Sequence, residues 1–372
     1  MVAWIGGCYP ETLPMKILRV VASVCLGVLS SAGLWAQSTG PDDRRITDPN
    51  SVTSTQNPRA RAIPFEDLYF TRSLSDASWS PNGEEILFTT NMTGRQNLWK
   101  VRAAGGWPVQ LVQSDERQTT GTWSPDGKWI VFQQDIGGNE LWDIFAVPSD
   151  GGEVINLTNT PDIREESPRW SRDGKSIALN YKPKEGTVYD LALLDWATHK
   201  VSKLTHEASP NHNWNSVAWS PDGNTLYANR FEISFTDADV YAVDVASGHT
   251  SNLTSHQGKV LNFASSLSPD GKVLLISSNS KGGYQNVALL DISTRKVTWV
   301  TDTKWEANSG DFSPTGRSFT YTLNADGLID TYVVDASSMH ADKLPLGDGL
   351  NTLAADTNSF SPSGDREFGS AG

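Results

Sequence analysis

The chain is predicted to be all-β: a β-propeller of four-stranded antiparallel blades, with six complete repeats and the start of a seventh. Three observations predict this. A turn motif recurs seven times, from Trp79-Ser80-Pro81-Asn82-Gly83 to Phe360-Ser361-Pro362-Ser363-Gly364, at steps of 44 to 49 residues. A period of that length marks one small four-stranded sheet per repeat. A second signature keeps the same period: a strand opening on Asp or Asn, then one ending in Leu-Thr or Val-Thr. No amphipathic helix with caps follows the first 36 residues.

Those 36 residues form the first element. Lys16 and Arg19 precede an apolar run from Val20 to Leu29, and small residues lead to Ala36 before Gln37. This order of charged, apolar and small segments predicts a secretory signal peptide over 1–36, with Met15 as the true start. The run is short for a membrane span of about 20 residues. Val24 before Cys25 is not the small residue that lipid attachment would call for. Cys8 and Cys25 both lie in this leader, so the chain beyond it has no thiol for catalysis, zinc or disulfides. The predicted location is periplasmic or secreted.

Residues 37–62 are rich in Gln, Ser, Thr, Pro, Asn and Arg without apolar periodicity, and are predicted to be a flexible linker. The propeller is assigned to 63–355. Residues 120–162 show its grammar. A strand ends at Trp123, and Ser124-Pro125-Asp126-Gly127 turns the chain, with Gly suited to a left-handed position. Trp129-Ile130-Val131-Phe132 is unbroken apolar, as expected of a strand covered on both faces. Leu141 to Val147 gives a third strand and Val154 to Thr158 a fourth, all joined by hairpin-sized loops. Such sheets close radially, which protects most strand edges. An open β-solenoid is the alternative, but its repeats are usually shorter, with fewer strands. Residues 356–372 are assigned to an incomplete seventh repeat, because no apolar second strand follows Gly364. That ending is read as a truncated gene product.

Removing Lys16, Arg19 and Glu11 with the leader leaves 28 basic against 42 acidic residues, net −14. So acidic a surface repels phosphate backbones, and a nucleic-acid partner is excluded. No membrane span is expected once the leader is cleaved.

The turn, the apolar second strand and the Asp-headed third strand together resemble a repeat shared by two families. These are the TolB-like proteins and the N-terminal propellers of prolyl oligopeptidase and acylaminoacyl-peptidase relatives. The resemblance covers 63–364, and Pro64-Phe65-Glu66-Asp67-Leu68 leading into the first repeat fits a secreted peptidase of this kind. It is not a WD repeat, since no Gly-His and Trp-Asp pairs recur in register. The resemblance implies a substrate-gating propeller, beside an α/β-hydrolase domain whose catalytic Ser sits in Gly-x-Ser-x-Gly. This chain has no such pentapeptide and no βαβ segment. It is therefore expected to be inactive as a peptidase, with no catalytic, cofactor or metal residues and no cofactor. The expected partners are a peptide substrate or protein, and a missing or separate hydrolase domain. The alternative is a stand-alone TolB-like protein-binding scaffold of the cell envelope. TolB itself places an α/β domain ahead of its propeller, where this chain has only the polar linker.

Several residues offer chemistry, and most of them read as structural. Glu165-Glu166 resemble the glutamate pair that holds the substrate amino terminus in dipeptidyl peptidases, but are read as a solvated loop. Asp237-Ala238-Asp239 and Asn324-Ala325-Asp326-Gly327 offer oxygen ligands without the twelve-residue calcium loop. His206 and His212 lack a third zinc ligand. Asp126, Asp173, Asp222 and Asp270 are turn formers, adjacent to Gly where a sialidase Asp box needs a residue between. Trp79, Trp123, Trp170 and Trp219 recur in register and are packing residues. Trp107, Trp214 and Trp305 fall out of register and are candidates for a channel mouth or partner contact.

Overall fold

A computed structural model of the chain describes residues 4–5, 72–346, 351–353, 360–366 and 368–371. The linker, and the leader apart from Trp4–Ile5, lie outside the described residues. Among these residues there is no helix. Six four-stranded antiparallel sheets follow one another along the chain, each a simple meander. Their innermost strands are Leu74–Trp79, Gln118–Trp123, Ile163–Trp170, His212–Trp219, Asn262–Leu267 and Glu306–Phe312.

The turn after each inner strand is built as its residues dictate. In the second blade the Ser124 hydroxyl donates to Asp126 Oδ1 at 2.7 Å and accepts the Trp129 N–H at 3.0 Å. The Gly127 N–H returns to the Ser124 carbonyl at 2.9 Å. Gly127 has φ +71°, and the other six turn glycines lie between +69° and +76°, a region open to Gly without penalty.

The unbroken apolar second strands split their side chains between two seams. Ile130 and Phe132 pack with Leu87 and Leu98 of the first blade, whereas Val131 joins Ile177 and Leu179 of the third. All seven are fully buried or nearly so. Covered on both faces, the strand has no reason to alternate. The in-register tryptophans fill the same seams. Trp123 Nε1 donates to the Ser78 carbonyl one blade back, and Trp219 Nε1 to that of Arg169 at 3.0 Å.

The turns also form a chain of contacts from blade to blade. A Cβ on Gly127 would meet Pro81 of the preceding turn, one on Gly174 would meet Pro125, and one on Gly316 would meet Pro269. Gly364 faces Thr315 of the sixth blade, and Gly83 of the first faces Pro362. The seventh turn therefore stands between blades six and one.

The seventh sheet is three-stranded. Asn351–Leu353 pairs with Phe368–Ala371, which pairs with Trp4–Ile5. Its first strand starts inside the range assigned to the sixth repeat. Its second strand was invisible as a pattern, because Phe-Gly-Ser-Ala offers backbone pairing without an apolar run.

Candidate functional site: the axial channel

Every inner strand carries a one-residue bulge at the same depth, for example between Thr119 and Thr122, and between Ala264 and Ser266. The six bulges fall at one level of six strands. A bulge leaves a backbone N–H without its ladder partner, and a buried N–H needs another acceptor. The second strand of the preceding blade supplies it. Ser167 N–H donates to Gln133 Oε1 at 3.0 Å, Ser216 N–H to Asn180 Oδ1 at 3.3 Å, and Ser309 N–H to Ser277 Oγ at 2.7 Å. Asn229 is bidentate, accepting from Ala264 N–H at 2.8 Å and donating to its carbonyl at 2.9 Å.

The seam between blades one and two departs from this pattern. There the Thr120 N–H turns to Asp76 Oδ2 at 3.2 Å, and the buried Thr89 hydroxyl makes no hydrogen bond among the described residues. Asp76, Thr120 and Ser167 sit at φ +52°, +53° and +56°. Each such position costs on the order of 1–3 kcal/mol, and strain of this kind gathers at functional sites.

Inside these bulges lies a cavity of about 470 Å³, with Thr120, Ser167, Asn215, Ser216, Ser265 and Ser309 among its walls. Ser265 Oγ donates to the Gly310 carbonyl at 2.7 Å and lies 2.9 Å from Ser309 Oγ, which lies 2.9 Å from Ser277 Oγ. The channel thus presents hydroxyls and amides, suited to hydrogen-bonding an extended polar chain. On the side of the turns it opens into cavities of about 510 and 410 Å³ at the ends of the inner strands. Arg172 stands over the larger one, its Nη2 donating to the Pro269 carbonyl at 3.4 Å.

The Glu165-Glu166 pair is not in a solvated loop; both residues belong to the inner strand Ile163–Trp170. Glu165 is fully buried and accepts from Thr160 Oγ1 at 2.6 Å, while its Oε1 has no hydrogen-bond partner among the described residues. Burial pushes its carboxyl up to about 7, against the Thr160 and Thr158 hydroxyls, and Asp143 adds to the rise. Glu166 pairs with Arg164 at 2.8 Å. Burial, then Glu166, raises the nearby Tyr189 phenol. Neighbouring strand residues face opposite ways, and the two carboxylates make no common clamp. A strand of such polar composition lacked the alternation that would have revealed it.

The other nominated residues take structural places. Asp239 accepts from Asn252 and Thr254 at the head of its strand, and Asp237 and Asp239 lie 3.2 and 3.5 Å from His256 Nε2. Asn324 caps a hairpin by accepting the Gly327 N–H. His212 pairs with Ser209, and His206 stands apart beside Glu207 in another cavity. The turn aspartates 126, 173, 222 and 270 are held below the usual carboxylate range, first by the Ser hydroxyl of their own turn. Among the described residues no group of three His, Cys, Asp or Glu is arranged to hold a metal.

Trp214 is buried, its Nε1 donating to Glu207 Oε2 at 2.7 Å, so it belongs to packing and not to a mouth. Trp107 is 93% exposed, as a contact residue would be, and Trp305 is 40% exposed. The ion pair of Glu207 with Arg230, at 2.7 and 2.9 Å, escaped sequence reasoning, as did the inter-blade amide bonds. Both join residues from different repeats that no local pattern links.

Two family descriptions match the chain. The TolB β-propeller domain matches residues 69–217, and the dipeptidyl peptidase IV N-terminal region matches 183–366. The chain is 26% identical over 225 residues to the uncharacterized peptidase YuxL of Bacillus subtilis, covering 59% of this chain and 31% of that protein. It is 27% identical over 255 residues to the Tol-Pal system protein TolB of Francisella tularensis subsp. tularensis, covering 66% and 54%. A prolyl endopeptidase structure shares the fold at TM-score 0.62 and 15% identity, covering 82% of this chain and 51% of that one. The chain spans about a third to a half of these curated relatives' lengths. Six described blades make it a β-propeller, and two overlapping matches make it similar to the TolB β-propeller domain and to the dipeptidyl peptidase IV N-terminal region.

Proposed function

We propose that the chain is the substrate-gating propeller of a prolyl-oligopeptidase-like serine peptidase working outside the cytoplasm. Its axial channel limits what reaches an α/β-hydrolase domain that these residues do not include. The observation that carries this reading is the hydroxyl- and amide-lined channel, within a chain that matches the dipeptidyl peptidase IV N-terminal region. A lining that sets hydroxyls and amides beside apolar side chains such as Val217 and Ile329 suits a peptide in transit. The chain has no nucleophile elbow, so it binds and filters without cleaving. The periplasm or the exterior is the proposed location. No helix among the described residues is long and apolar enough to cross a membrane.

The test is labelling with a fluorophosphonate serine probe. This chain, purified alone, is expected to stay unlabelled and to show no turnover of chromogenic peptides. A product of the same locus recovered from its native cells is expected to carry the label. Turnover by the chain alone that survives serine-directed inhibitors would overturn the reading. The TolB match over 69–217 favours a second reading, an envelope scaffold that works by protein contact. Cross-linking in cells that recovers one envelope protein, with no labelled product, would select it.

A further inference from the structure

Six of the seven turn copies carry Pro at their third residue: Pro81, Pro125, Pro221, Pro269, Pro314 and Pro362. The third copy carries Arg172 instead. Packing does not ask for this arginine. A Cβ on Gly223 of the next turn would meet nothing within 4 Å, so the place a Pro ring takes in other seams stays open. The Arg172 side chain passes over blade four to the Pro269 carbonyl in blade five, held there by one long hydrogen bond of 3.4 Å. It is exposed and makes no ion pair among the described residues, in a chain of net charge −13.

Beneath it lies the cavity of about 510 Å³, walled by inner-strand ends of blades three to six, with Trp170, Trp219 and Phe312 as apolar surface. Arg169 and Asp311 also line this cavity, and neither is free. The nearby turn carboxylates Asp222 and Asp270 are engaged by Ser220 and Ser268 of their own turns. Arg172 is thus a guanidinium with most of its five donors unspent, over apolar walls at a channel mouth. Its planar fork matches a carboxylate.

We infer that Arg172 makes the turn-side mouth of the channel a carboxylate-binding site, which takes the carboxylate of a short peptide. The inference rests on the proposed peptide passage only for the carrier; the site itself stands on the geometry. Arg172→Pro is the natural variant, since six sister turns hold Pro there, and it is expected to keep the melting temperature. Arg172→Gln removes the charge while keeping a polar side chain.

Isothermal titration calorimetry on the full chain would compare N-acetylated Ala-Pro-Ala as free acid and as C-terminal amide. The free acid is expected to bind about tenfold more tightly, the value of one hydrogen bond to a charged group. Both variants are expected to bring that ratio to one. N-acetylated Ala-Glu-Ala amide separates the sources: binding like the acid admits a side-chain carboxylate, and binding like the amide restricts the site to the chain terminus. Equal affinity of acid and amide for the unaltered protein, or a ratio that survives both variants, would sink the inference while leaving the passage intact. No saturable binding of any peptide would remove both.

Discussion

At the scale of single residues, the molecule separates positions that only look alike. Gly127 and Gly271 hold the same turn position, at φ +71° and +76°. A Cβ on Gly127 would stand 3.7 Å from Pro81, whereas one on Gly271 would stand 2.6 Å from the rigid Pro221 ring. Gly127→Val should cost about 1–2 kcal/mol from backbone strain alone, and Gly271→Ala should cost more than Gly127→Ala. Melting curves of the two alanine variants check the order. Glu165 is the other telling residue. Its carboxyl is raised to about 7 in the fold, above its unfolded value of about 4.3. Between those values the folded state holds the extra proton, so stability falls as pH rises through that window. The loss is on the order of 3 kcal/mol. Glu165→Gln should flatten that part of the stability profile, and denaturant unfolding at pH 5 and pH 8 would show it. An unchanged slope would place the carboxyl in contact with water.

At the scale of elements, the repeated bulge and its amide partner explain why the centre of the molecule is polar. The turns and apolar strands were legible in the sequence because each is a local pattern: Trp-Ser-Pro-Asp-Gly punctuates, and Trp129-Ile130-Val131-Phe132 needs no distant partner to be recognised. Gln133, Asn180, Asn229 and Ser277 were not legible. Each ends an apolar run and looks like the start of a loop, yet each reaches a backbone group some 32 to 36 residues further on. Glu165 was misplaced for the same reason, since a bulged strand breaks the period of two that marks strands. Removing such a partner should be costly. Asn229→Ala leaves the Ala264 N–H and carbonyl buried without partners, at about 1–3 kcal/mol each. Thr89→Val occupies the matching place in blade one, where the hydroxyl makes no bond among the described residues, and should be neutral or stabilising. Equal losses from the two substitutions would mean that the bulge amides find other acceptors.

At the scale of the whole molecule, stability is set by its least complete seam. Between blades two and three the core side chains Val131, Ile144, Ala146, Ile177, Leu179 and Leu194 are all fully buried. The face of blade one turned away from blade two holds Trp79, Ile86, Phe88 and Trp99, each 7 to 8% exposed. That side of blade one meets the seventh turn, through contacts such as Gly83 with Pro362. In a structure of nearest-neighbour modules, local opening starts where apolar burial is thinnest. Hydrogen exchange followed by mass spectrometry should therefore find peptides from 74–90 and 360–366 exchanging before those from 129–147 and 176–194. A ligand held only at the turn-side mouth by blades three to six would slow exchange in peptides from 176–194 and leave those from 74–90 unchanged. Uniform protection around the ring would mean instead that the partial seventh sheet seals blade one as well as a full blade does.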